Sequence, residues 1–78
     1  MLPVLTDREN QILRLISDGL TNREISCHLS ISESTVENHA HHIYGKLGIS
    51  SRAQAVAYTF QLRFSLQNEM LENRGNPP

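Results

Sequence analysis

A single cysteine, Cys27, is present among 78 residues, so no internal disulfide can staple the chain. A lone thiol suits a reducing cytoplasm. Placed mid-helix, Cys27 is expected as a small packing residue rather than a nucleophile. No apolar run approaches the ~20 residues that a membrane span requires, and no stretch reads as a signal peptide. Basic residues are not in surplus either: seven Lys and Arg stand against eight Asp and Glu, for a net charge of −1 with His neutral. The basic footprint usual for a nucleic-acid binder is therefore missing globally. No glycine-rich phosphate loop and no nucleophile–base pair at a recognisable spacing occurs, so an enzyme reading has no support and no cofactor is implied. A chain of this length makes one small domain with a modest core.

What is present is concentrated between Thr21 and Gly48, TNREISCHLSISESTVENHAHHIYGKLG. The stretch reads as two helices, about 22–29 and 33–47, joined by a very short turn. Thr21 is an N-cap with Glu24 placed three residues on to reach back to it, and Leu20 and Ile25 flank this capping box as a hydrophobic staple. Ser32 caps the second of the two helices, with Ile31 and Val36 as its staple. A link of Ser30, Ile31 and Ser32 forces a sharp turn, as in a helix-turn-helix.

The helix after Ser32 has two different faces. At 3.6 residues per turn, Val36, Ala40, Ile43 and Leu47 share one side, which belongs in a core. The opposite side carries Ser34, Asn38, His41 and Gly45, with Glu37 and His42 at its margins. Short hydrogen-bonding groups aimed outward, with nothing bulky among them, are what a helix needs to lie in a DNA major groove. The pattern alone fits an ordinary solvated face equally well. From Thr21 to Arg52 the cations Arg23, Lys46 and Arg52 balance the anions Glu24, Glu33 and Glu37. Binding to a polyanion would then rest on charge placement, helix N-termini and backbone N–H groups, with protonated histidine adding charge at lower pH.

Four ordered blocks carry a resemblance: LTDRE at 5–9, LISDGLTNREIS at 15–26, LSISESTVENH at 29–39 and KLGISSRAQAV at 46–56. From Leu5 to about Gln61 the chain resembles the C-terminal DNA-binding domain of the LuxR family, also called the FixJ/NarL or GerE type. The resemblance implies an all-α fold of four helices with the second and third as the helix-turn-helix. It also implies bacterial transcription regulation in the cytoplasm, at the nucleoid, with dimeric binding to an inverted repeat in double-stranded DNA. By matching position, Glu37, Asn38 and His41 are the candidates for base edges, and Arg23, Ser34, Thr35, His42 and Lys46 those for phosphates. Relatives often carry Lys or Arg at the positions of Glu37 and His41, so the target sequence here should differ. The glutamate matching Glu9 is structural in the family and is expected to brace helix junctions. Most relatives carry a receiver or sensor domain ahead of this one. The competing class is a helix-turn-helix module without DNA binding that docks RNA polymerase or a sensor domain, favoured by the neutral charge and by Glu37. A narrower rival is the DNA-reading end of a sigma factor.

The rest of the chain frames this unit. Residues 1–4 form a lead-in, 5–66 the domain and 67–78 an extension whose end is expected to be disordered. Thr6 and Glu9 open a first helix over about 7–17 with Ile12, Leu13 and Ile16 as its core stripe. Gly19 fits the left-handed position that ends it. Ser30 stands where the family often has glycine, which costs on the order of 1 kcal/mol if φ is positive there. Gly45 is costly inside a helix, and either close approach of a DNA strand or a frayed last turn would explain it. Ser51 and Gln54 read as another capping box, starting the last helix at Arg52. Ala53, Ala57, Phe60 and Phe64 line one apolar stripe of it, and Ala55, Val56, Leu62 and Leu66 another. Two stripes need two partners: the domain's own core, and either a second copy or the segment after Phe64. In the family this helix is the dimer contact, so Ala53, Ala57, Phe60 and Phe64 are the dimerisation candidates. His39, His41 and His42 lack the i, i+4 spacing and the converging partners of a zinc site, and no metal is expected.

Overall fold

Helix boundaries follow from side chains that replace missing backbone partners. The computed structural model describes the backbone of residues 4–75 and the side chains of residues 4–65. It holds α1 (Asp7–Ser17), α2 (Asn22–Leu29), α3 (Glu33–Leu47) and α4 (Arg52–Gly75), with no strand among the described residues. Thr6 Oγ1 accepts from the Glu9 N–H at 3.1 Å while Glu9 Oε1 accepts from the Thr6 N–H at 2.8 Å. Thr21 and Glu24 repeat the reciprocal box at 3.1 and 2.9 Å. Ser32 Oγ accepts from the Thr35 N–H at 3.1 Å, and the Ser32 and Thr35 hydroxyls are themselves hydrogen-bonded at 2.8 Å.

The three inner helix ends share one device. A residue at positive φ reverses the chain after each: Gly19 at 92°, Ser30 at 57° and Gly48 at 68°. The next residue's N–H then reaches back across the last turn. Leu20 donates to the Leu15 carbonyl at 3.1 Å, Ile31 to Ser26 at 3.0 Å and Ile49 to Tyr44 at 2.9 Å. Leu20, Ile31 and Ile49 thereby drop onto the core, the hydrophobic contact that accompanies this type of helix end. Leu20 and Ile31 also precede the N-caps Thr21 and Ser32, so each closes one helix and staples the next. That double duty is what keeps both links short. Ser30 is the one residue other than glycine at positive φ among the described residues, a conformation that costs an L-residue about 1–2 kcal/mol.

α1 packs against each of the other three helices, and α2 packs on α3. The core consists of Ile12, Leu13 and Ile16 from α1, Ile25 from α2, Val36, Ala40 and Ile43 from α3, and Ala55 from α4. Ile12, Ile16, Ile25 and Ile43 are completely buried. Truncating any one to alanine should cost about 2–5 kcal/mol, a large share of a small domain's stability.

Three details depart from the sequence reading. Cys27 is exposed, not packed: the core side of α2 is set by Ile25 and Leu29, and Cys27 falls nearly opposite them. The small buried residue is its neighbour Ser26, whose hydroxyl donates to the Arg23 carbonyl at 2.7 Å. At the start of α4, Ser51 Oγ does accept from the Gln54 N–H at 3.2 Å, but Gln54 Oε1 accepts from the Ser50 N–H at 2.7 Å rather than from Ser51. The core side of α4 runs through Ala55 and the half-buried Tyr58 and Thr59, while Val56 and Leu62 are both exposed. The side chain of Leu66 and residues 76–78 lie outside the described residues; α4 itself continues through the whole of 66–75.

Candidate nucleic-acid interface

α3 is anchored along its inner side and open along its outer one. Val36, Ala40 and Ile43 are buried and Leu47 half-buried. Ser34, Glu37, Asn38, His41, His42 and Gly45 are exposed. The proposed base readers Glu37, Asn38 and His41 thus lie on one uncovered surface with Ser34, and His42 is at its edge. Thr35 is half-buried, with its hydroxyl already bonded to Ser32. Arg23, in the first turn of α2, is exposed and has no ion-pair partner among the described residues. No three His, Cys, Asp or Glu side chains converge on a metal-sized space among the described residues.

Gly45 sits within this open surface. A Cβ built on it would meet nothing within 4 Å, so the fold itself does not require glycine there. The last turn has helical geometry: α3 continues to Leu47, and the Gly45 carbonyl accepts from the Gly48 N–H at 3.3 Å.

Two long-range polar contacts fix how α3 and its neighbours are held. Lys46 Nζ lies 2.6 Å from Glu9 Oε1, the same oxygen that accepts from the Thr6 N–H. The Glu9 side chain is only 5% exposed and that of Lys46 40%. The Lys46 ammonium, aided by the Thr6 N–H and against the effect of burial, holds the Glu9 carboxyl down at about 2. The lysine read from sequence as a phosphate contact is therefore also a strut between α3 and the start of α1. Its ammonium keeps further N–H donors and substantial exposure. Arg52, at the start of α4, donates to Asn22 Oδ1 at 2.9 Å and to the Leu20 carbonyl, tying α4 to the start of α2. No local signal marks Arg52 for this role, since its partners lie 30 and 32 residues away in the chain.

α4 presents a second open surface. Ala53, Ala57, Phe60 and Phe64 lie on the side away from Ala55, all exposed, with Phe60 at 69% and Phe64 at 55%. The two phenyl rings stack with centroids 6.4 Å apart. The continuation of α4 as helix through Gly75 means that 66–75 does not fold back over this stripe.

The family model of bacterial regulatory proteins, luxR family, matches residues 3–59. The chain belongs to the LuxR family. It is a helix-turn-helix DNA-binding domain of that family, which is non-enzymatic. Over 61 residues it is 39% identical to the DNA-binding transcriptional activator DevR/DosR of Mycobacterium tuberculosis, spanning 78% of this chain and 28% of that protein. It is 44% identical over 59 residues to the nitrate/nitrite response regulator protein NarL of Escherichia coli, spanning 76% of this chain and 27% of NarL. The crystal structure of response regulator ChrA, from a heme-sensing two-component system, aligns with a TM-score of 0.71 and 43% identity over 77% of this chain and 30% of ChrA. This LuxR-type chain thus spans less than a third of the length of these relatives. Among the described residues no helix is long and apolar enough to cross a membrane.

Proposed function

We propose that this LuxR-type domain binds duplex DNA sequence-specifically as a homodimer on an inverted repeat, and regulates transcription in the bacterial cytoplasm. α3 enters the major groove. Glu37, Asn38 and His41 meet base edges, while Arg23, Ser34, Thr35, His42 and Lys46 meet phosphates. Ala53, Ala57, Phe60 and Phe64 form the contact between copies. The observation that carries this reading is the surface of α3 through Ser34, Asn38, His41 and Gly45: uncovered, polar and free of bulk, on a helix fixed to the core by its other side. The uncovered stripe of α4 supports the dimer, and a two-fold dimer calls for a two-fold target. By analogy with DevR/DosR and NarL, whose names describe regulators, the domain would work in a longer protein beside a sensor or receiver unit, or with RNA polymerase.

The neutral charge supports a second reading, a helix-turn-helix module that docks a protein instead. Glu33 and Glu37 are exposed on α3, and Lys46, on the same helix, is paired with Glu9. A gel shift with mixed genomic fragments at low salt separates the two. A subset of fragments retarded ahead of the rest supports sequence-specific binding. No retardation of any fragment by folded protein favours the docking module.

A further inference from the structure

Glu37 is the unusual group on the outward surface of α3. It is exposed and makes no side-chain hydrogen bond or ion pair among the described residues. Of the three cations between Thr21 and Arg52, Lys46 holds Glu9, Arg52 holds Asn22 and the Leu20 carbonyl, and Arg23 makes no ion pair among the described residues, so none of them neutralises Glu37. A bare carboxylate pointing at a polyanion is repelled by every phosphate within a Debye length. It is also an acceptor without a proton to give. In the major groove the base edges offer two amino donors, cytosine N4 and adenine N6. Adenine places its N7 acceptor beside N6, where a carboxylate meets a second lone pair. Cytosine N4 has only C5–H beside it on the same base. An amide, by contrast, fits adenine with one donor and one acceptor, and Asn38 next along the helix is that group.

We propose that Glu37 is the selectivity residue of this interface: it accepts a hydrogen bond from cytosine N4 at one base pair of each half-site and weakens binding to duplexes lacking that donor. The inference rests on the reading that α3 lies in the major groove. It assigns two different base requirements to two adjacent side chains, a cytosine to Glu37 and an adenine to Asn38. It also explains how a domain of net charge −1 discriminates, since repulsion lowers the background against which a matched site is read.

The test is binding-site selection with the wild type, Glu37→Ala, Glu37→Gln and Asn38→Ala, followed by titrations on the selected site and its single-pair variants. Glu37 is exposed and makes no side-chain hydrogen bond or ion pair among the described residues, so circular dichroism of both Glu37 variants should match the wild type. The wild type should prefer cytosine at one position per half-site by about fivefold or more. Glu37→Ala should lose that preference and raise affinity for unrelated duplex about three- to tenfold at low salt. Glu37→Gln should move the preference at that position toward adenine. Replacing the cytosine by 2-pyrimidinone, which lacks the amino group, should weaken the wild type and leave Glu37→Ala unchanged. If Glu37→Ala keeps the cytosine preference, or leaves affinity for unrelated duplex unchanged, the role of Glu37 is overturned. Groove binding by α3 then still stands if Asn38→Ala relaxes another position. If the wild type selects no sequence at all, both readings fall.

Discussion

Glu9 Oε1 serves two donors at once, the Thr6 N–H that begins α1 and the Lys46 ammonium near the end of α3. Its carboxyl is lowered from an ordinary 4.5 to about 2. A carboxyl depressed in the folded state contributes stability that is fully present above its unfolded pKa and is lost as pH falls through the folded one. Stability should thus decline between about pH 4.5 and pH 2 through this group. Glu9→Gln can still accept from Thr6 but has no charge for Lys46. Urea midpoints measured across that range should show a shallower acid decline for the variant, and an unchanged decline would remove Glu9 as its source. Gly45 allows a second prediction. A Cβ there enters open space, so Gly45→Ala should stabilise the domain by about 0.5–1 kcal/mol in thermal unfolding. If a DNA strand approaches closely at that point, the same variant should bind DNA more weakly despite its greater stability. Greater stability with unchanged binding would show that the DNA does not come near Gly45.

At the scale of the helix, α4 is the element with an unused side. Phe60→Glu or Ala57→Glu places a carboxylate on the exposed stripe, away from the core residue Ala55. Helix content should stay intact while dimers and cooperative DNA binding weaken. Sedimentation of the DNA complex should find two chains per full site for the wild type. One chain per full site would contradict the dimer. The helices themselves were legible in the sequence because their signals are local. Thr6 with Glu9, Thr21 with Glu24, and Ser32 with Thr35 each act over three residues, and Gly19 and Gly48 mark reversals that few other residues tolerate. The exposed side of α3 was legible from its 3.6-residue period. What joins the helices was not. Lys46 and Glu9 are 37 residues apart, and Arg52 and Asn22 are 30; no pattern within one helix states such a pairing. Cys27 departs from expectation for a different reason: its chemistry alone suggests burial, whereas the positions of Ile25 and Leu29 on the same helix turn it outward.

For the whole molecule, two open surfaces matter: the outward side of α3 and the far side of α4, with α1 packed between helices and carrying much of the core. A net charge of −1 makes general attraction to DNA weak, so in the proposed complex affinity would come from placed contacts and from two copies acting together. The central claim is that α3 reads bases. Asn38 tests it most directly, because its side chain is exposed near the middle of the outward surface and its amide can both donate to and accept from adenine. The measurement is a titration of wild type and Asn38→Ala against the best selected inverted repeat and against an unrelated duplex at the same salt. The variant should lose about 1–3 kcal/mol on the selected site, relax preference at one base pair per half-site, and bind unrelated duplex nearly as before. Equal affinity of the two proteins for the selected site, with both folded, would contradict the seating of α3 in the groove.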